Sequence, residues 1–93
     1  MSPGKVYYLN EGVQVRPEVF GLLFYDYRGP KLYFMASRDL INISFFAGRQ
    51  TEQELIETIA NGHPWSRRDI QERVLQILEM LEKKGLVHGQ SLS

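Results

Sequence analysis

The chain has no cysteine, which excludes disulfides, thiolate metal centres, iron–sulfur clusters and thiol catalysis. It has only two histidines, His63 and His88, expected in a turn and in a frayed tail, with no ligand spacing between them or to any carboxylate. It also lacks net charge: 11 basic residues balance 11 acidic ones. A free-standing nucleic-acid binder needs a basic excess to neutralise phosphates, so no nucleic-acid partner is expected. No apolar run approaches the roughly eighteen residues of a membrane span. The start, Met1 to Lys5, has no apolar segment behind its one basic residue and does not read as a secretory signal. Gly29, Gly48, Gly62 and Gly85 are isolated, so no phosphate-cradling loop is present. The serines lack a strand–turn–helix elbow and a histidine partner. Glu52, Glu54 and Glu57 read as the solvated face of a short helix. These absences point away from an enzyme, a cofactor carrier, a metal site and a membrane protein, and fit a cytoplasmic location.

What is present begins with aromatics. The stretch 13–34 carries Phe20, Phe24, Tyr25, Tyr27, Tyr33 and Phe34, and reads as strand, break, strand, tight turn, strand. Val6–Leu9 can extend a first strand, with Asn10-Glu11-Gly12 as a turn before Val13. Pro17 marks a break or an edge. Alternation along Phe20–Tyr27 places Phe20, Leu22 and Phe24 opposite Leu23, Tyr25 and Tyr27. Arg28-Gly29-Pro30 signals a hairpin, and Lys31–Ala36 follows as the third strand, with Leu32, Phe34 and Ala36 opposite Lys31, Tyr33 and Met35. The expected core face is Leu22, Phe24, Leu32 and Phe34, which leaves Leu23, Tyr25, Tyr27, Tyr33 and Met35 on the other side.

Three helices are expected to follow. Ser37 is a candidate N-cap for a helix over about 38–47, stopped by Gly48, although Ile41, Ile43 and Phe45 also alternate as in a strand. Thr51-Glu-Gln-Glu54 is a capping-box pattern opening a helix to about Ala60. Ser66 caps the longest helix, to about Lys84, with Gly85 beyond its end. Its core stripe is Ile70, Val74, Ile77 and Leu81, widened on one flank by Leu75 and Leu78. Trp65 is expected to plug the core at the helix entrance. The expected fold is α+β: a three-stranded antiparallel sheet followed by a three-helix bundle, winged-helix-like, in one domain over residues 1–93 with an ordered core of about 6–87.

Three features carry functional weight. As an edge strand, Lys31–Ala36 holds one charge and no internal proline, so it offers unpaired backbone groups to an added strand; alternatively, the N-terminal segment or a helix covers it. The tyrosine face of the sheet has the composition of an interface, or else lies under the chain ends. Arg67 and Arg68 either sit on a solvated helix or attract carboxylates of an acidic peptide.

The wording Val15-Arg-Pro-Glu18, Phe20-Gly-Leu-Leu-Phe-Tyr25 and Lys31-Leu-Tyr-Phe34 resembles the mycofactocin biosynthesis peptide chaperone family over roughly Tyr8 to Val87. The related chaperone of pyrroloquinoline quinone synthesis and other ribosomal-peptide recognition elements share the architecture. The resemblance implies a non-catalytic chaperone that binds the leader of a ribosomal precursor peptide and delivers it to a radical S-adenosylmethionine (SAM) maturase. The maturase then oxidatively decarboxylates a C-terminal tyrosine and cross-links it to the adjacent valine. By the same resemblance the leader adds as a strand to the third strand, in a groove bounded by the third helix. On this chain that groove comprises Lys31, Leu32, Tyr33, Phe34, Met35 and Ala36, with Arg67, Arg68, Gln71, Leu75 and Leu78 projected as its wall. Tyr25, Tyr27 and Arg16 are the candidates for maturase contact. No cofactor is expected on this chain, and a monomer or weak dimer is expected. Two rival readings use the same elements: a winged-helix DNA-binding regulator with the hairpin at Arg28–Lys31 as its wing, and a homodimeric assembly module joined through the third-strand edge.

Overall fold

A computed structural model describes residues 4–19, 21–36 and 40–91 of the chain. The elements run β1 (Lys5–Leu9), β2 (Val13–Glu18), β3 (Gly21–Asp26), β4 (Lys31–Met35), a 3₁₀ turn (Ile43–Phe46), α1 (Glu52–Gly62), α2 (Arg67–Lys83) and β5 (Val87–Ser91). They form two antiparallel sheets, β2–β3–β4 and β1–β5. The expected third strand is thus β4, and the three strands of the expected antiparallel sheet are present in the order β2–β3–β4.

The three-helix bundle does not exist: only α1 and α2 are helices. Ser37 lies outside the described residues. From Leu40 onward the segment forms a single 3₁₀ turn after an extended Asn42 that makes no side-chain cap. The physical reason lies in the local sequence: Asn42 makes no side-chain cap, Ile41, Ile43, Phe45 and Phe46 are weak helix formers, and Gly48 at φ +74° ends the turn. Both rings enter the core, Phe46 packing edge-on against Phe24 at 5.5 Å and Phe45 stacking on Tyr7 at 5.7 Å. The winged-helix-like arrangement expected on that basis has no third helix to complete it. The expected frayed tail is instead β5, which pairs with β1 from Lys5↔Ser91 to Leu9↔Val87.

The remaining helix signals act as their chemistry dictates. The Thr51 hydroxyl accepts from Glu54 N–H at 3.1 Å while the Glu54 carboxylate accepts from Thr51 N–H at 2.9 Å, a complete capping box. The Ser66 hydroxyl accepts from Asp69 N–H at 3.1 Å and opens α2. Gly85, at φ +73°, closes it: Gly85 N–H donates to Glu82 O and Leu86 N–H to Leu81 O, both at 3.0 Å, the paired bonds of a Schellman motif. Along α2, Ile70, Val74, Leu78 and Leu81 are buried, with Ile77 partly so, giving the stripe a centre slightly different from the expected one. Trp65 does not plug the core; it is 52% exposed and stacks on His63 at 4.8 Å.

The cross-strand register decides which sheet residues face this core. Leu22 pairs with Met35 and Phe24 with Tyr33, while Leu23 pairs with Phe34 and Tyr25 with Leu32. Directly opposed residues share a face, so Tyr33 and Met35 point inward with Leu22 and Phe24. Leu32, 63% exposed, and Phe34, 47% exposed, point outward with Leu23 and Tyr25. The expected assignment of Leu32 and Phe34 to the core is therefore inverted, because parity within a strand does not specify its register against the next.

Candidate functional site

The three-stranded sheet has two edges of different character. The β2 edge carries Pro17, and Arg16 is ion-paired to Glu18 at 2.8 Å, features that blunt an edge. The β4 edge carries one charge, Lys31, and no proline. Among the described residues no backbone group of β4 pairs beyond its ladder with β3. An extended segment of another chain can continue this ladder using main-chain bonds alone.

Helix α2 borders that edge through Tyr33. The Tyr33 hydroxyl donates to Met80 Sδ at 3.2 Å, and Lys84 Nζ sits 4.7 Å from the centre of the Tyr33 ring. Tyr33 therefore bridges from β4 to the outer flank of α2. At 3.6 residues per turn, Arg73, Ile77 and Lys84 lie within about 60° of Met80 around the helix. The spacing of four, three and four places Arg73, Ile77, Met80 and Lys84 in one row along α2, of which Met80 and Lys84 touch Tyr33 of β4. Met80 and Ile77 are partly exposed, and Arg73 has no ion-pair partner among the described residues.

The helix residues projected from the sequence sit elsewhere. Arg67, Arg68, Gln71, Leu75 and Leu78 all lie roughly 120–180° around α2 from Met80. Arg67 is ion-paired to Glu57 of α1, which fixes that flank as the one turned toward α1. Arg68 pairs with Glu72 one turn on, at 3.5 Å. Leu78 is buried in the core at 1% exposure, and Leu75 is partly exposed. No sequence signal distinguished the two flanks, because both flank the same apolar stripe and only the path of β4 separates them. On the strand, Lys31, Leu32, Tyr33, Phe34 and Met35 all fall within β4, with Ala36 exposed just beyond it. Met35 is buried and belongs to the core.

The outward face of the sheet gathers the residues singled out for a protein partner. Two rows cross the three strands: Arg16–Leu23–Phe34 and Gln14–Tyr25–Leu32. Tyr27 adds to the second, its ring 4.2 Å from that of Tyr25. The hairpin behind them is held rather than free. Arg28 donates to both Asp26 carboxylate oxygens, at 2.9 and 3.1 Å, and to Gly85 O at 2.7 Å. The side-chain bond from Arg28 is the main reason the Asp26 carboxyl is held below the usual carboxylate range, with its backbone N–H helping. An arginine committed in this way is poorly placed to serve as the phosphate contact of a DNA-binding wing.

A profile of the peptide chaperone MftB family matches residues 6–88. The chain belongs to the MftB peptide chaperone family. A solved lasso peptide synthetase B1 complexed with its leader peptide has the same fold, at a TM-score of 0.74 and 15% identity, covering 88% of this chain and 96% of that one. A comparison with curated proteins finds no match. The family resemblance read from Val15–Phe34 is thus shown, and the match takes in both helices and the first residues of β5. In this MftB family member both histidines have partners within the fold. His63 Nδ1 lies 3.0 Å from Ile59 O at the end of α1, and His88 Nδ1 lies 2.5 Å from Asn10 Oδ1 across the β1–β5 sheet. Burial, and then the Glu52 carboxylate beside it, push the Tyr7 phenol well above its ordinary range. No cluster of three His, Asp or Glu suited to a metal occurs among the described residues, and no described helix is long and apolar enough to cross a membrane.

Proposed function

We propose that this MftB family member is a non-catalytic chaperone of mycofactocin biosynthesis. It takes up the leader of a ribosomal precursor peptide as an added strand on β4 and presents it to a radical SAM maturase. The observation that carries the reading is the open β4 edge beside the Tyr33–Met80 contact, in a member of a peptide chaperone family. That a protein of the same fold is known in complex with a leader peptide supports it. Backbone pairing supplies affinity without demanding a particular sequence, and side chains alternating toward α2 supply selectivity. The peptide-contacting set is Lys31 to Ala36, with the α2 row Arg73, Ile77, Met80 and Lys84 as the wall in place of Arg67, Arg68, Gln71, Leu75 and Leu78.

The maturase is assigned to the outward sheet face, with Arg16, Tyr25 and Tyr27 joined by Leu23, Leu32 and Phe34. A guest strand on β4 extends that face by one row, so the maturase meets host and guest side chains on one continuous surface. Tyrosine and phenylalanine suit such a contact because they bury large areas at low conformational cost.

The test is a titration of isotope-labelled protein with the leader peptide of a mycofactocin precursor, following the backbone amides of 31–35. Shifts concentrated in β4 and around Met80 are expected. Amides of β4 that stay in place while peptide binds would sink the strand-addition reading. Self-association through the β4 edge is the competing use of the same groups, and sedimentation with and without peptide separates the two.

A further inference from the structure

Resting on the reading that a guest strand adds to β4, we infer that this edge selects a leader segment of the pattern acidic–x–apolar–x–acidic. The row on α2 is chemically ordered: cation, apolar, apolar, cation, in Arg73, Ile77, Met80 and Lys84. Met80, Ile77 and the Tyr33 ring make an apolar centre. Lys84 is held at one end over the Tyr33 ring, and Lys31, two residues before Tyr33 on the same face of β4, adds charge to that end. Arg73 stands at the other end without an ion-pair partner among the described residues.

Spacing sets the pattern. Arg73 and Lys84 are eleven residues apart, about 16 Å along the helix at ~1.5 Å per residue. Side chains of an added strand that turn toward α2 recur every second residue, so two of them four apart are separated by about 13 Å at ~3.3 Å per residue. The remaining few ångströms lie within the reach of two long, flexible cationic side chains. A separation of five would turn one acidic residue away from α2 and onto the outward face. The residue midway faces Ile77, Met80 and Tyr33, where an aliphatic side chain buries apolar area. Asp69, one turn before Arg73 on the same row, repels an acidic residue placed further along and so limits the pattern at that end. The pattern reads the same in both directions, so it holds for a guest running parallel or antiparallel to β4.

The probes are fluorescein-labelled twelve-residue peptides on a Gly/Ser/Thr background. The first centres on Glu-Thr-Leu-Thr-Glu, the second on Lys-Thr-Leu-Thr-Lys, and the third rearranges the first as Glu-Thr-Glu-Leu-Thr. Anisotropy at low salt is read together with β4 amide shifts. The first peptide is expected to bind about tenfold more tightly than the others, the sum of two modest exposed ion pairs. The double variant Arg73→Glu/Lys84→Glu is expected to reverse the preference toward the lysine peptide. Both side chains are exposed, so the variant should fold, which its circular dichroism will verify. Equal affinities for the three peptides with β4 amides shifting would overturn the charge pattern and leave strand addition standing. Absence of binding, or binding that leaves the β4 amides unmoved, would overturn both.

Discussion

The inverted faces of β4 make a sharp prediction about two adjacent residues. Met35 is 4% exposed and lies opposite Leu22 in the core, whereas Phe34 is 47% exposed and lies opposite Leu23 on the outward face. Truncating a buried methionine to alanine removes its transfer free energy and leaves a cavity, a loss of about 2–5 kcal/mol. Phe34→Ala gives up only about half of a side chain worth roughly 1.5–3 kcal/mol when fully buried, so about 1 kcal/mol. In a domain of this size the smaller loss lowers Tm by roughly 4–8 °C, while the larger takes a substantial share of a total near 5–15 kcal/mol. Urea unfolding followed by circular dichroism measures both, with an unchanged denaturant slope as the control that the unfolded state is the same. If Phe34→Ala costs as much as Met35→Ala or more, the β3–β4 register is shifted by one residue, and the division of faces falls with it. If the expected order holds, Phe34 becomes a usable functional probe. A variant at that position stays folded, and its effect on binding of the proposed partner can be read with only a small stability correction.

Two further predictions concern single residues. Gly48, at φ +74°, lies under the Tyr8 ring, and an added Cβ would approach that ring to 2.3 Å. Gly48→Ala should therefore destabilise by at least about 2 kcal/mol from strain and overlap together. Gly62→Ala is the control: it ends α1 with nothing within 4 Å of a new Cβ and should be neutral or stabilising by up to about 1 kcal/mol. Equal effects in urea unfolding would show that the Tyr8 contact is not rigid. The Asp26 carboxyl is depressed by Arg28, so its contribution to hairpin stability is present above its ordinary pKa of about 4 and lost as pH falls through the lower folded value. A carbon-detected titration should find Asp26 below the free-carboxylate range, and Asp26→Asn should remove the acid-side loss of protection at 26–31. An ordinary Asp26 titration would refute the pairing.

Much of the fold was legible where a local group has a local partner. The Thr51–Glu54 box, the Ser66 cap and the Gly85 stop each solve the problem of unpaired terminal backbone groups, and short sequence patterns carry that solution. Most of what stayed hidden depends on partners distant in the chain. β5 contains His88, Gly89 and Gln90, poor strand formers that are extended because β1 supplies their ladder. Ile43–Phe46 has apolar residues enough for a helix, yet it begins without a side-chain cap and ends two residues before the left-handed Gly48, which leaves room for a single 3₁₀ turn. At the candidate site, the edge strand was legible from its few charges, whereas the flank of α2 that touches it was not. Arg67 and Arg68 drew notice as a cationic pair, while the row along α2 is spread over eleven residues and becomes a row only once Tyr33 is known to touch Met80.

The five residues of β4 serve three surfaces at once, and geometry rather than composition separates them. Tyr33 and Met35 face inward, Leu32 and Phe34 face outward, and the backbone edge lies between. The inward pair ties the strand to the core and to α2, which holds the edge still. A fixed edge lowers the ordering cost of a guest strand, because only the peptide has to be immobilised. The outward pair can then be strongly apolar without defining the fold, since the core is completed by Phe45 and Phe46 from the 3₁₀ turn. That turn is what releases the outward face. With two phenylalanines supplied from elsewhere, the sheet has no need to bury Leu32 and Phe34 within its own domain, and their apolar area stays available to a partner.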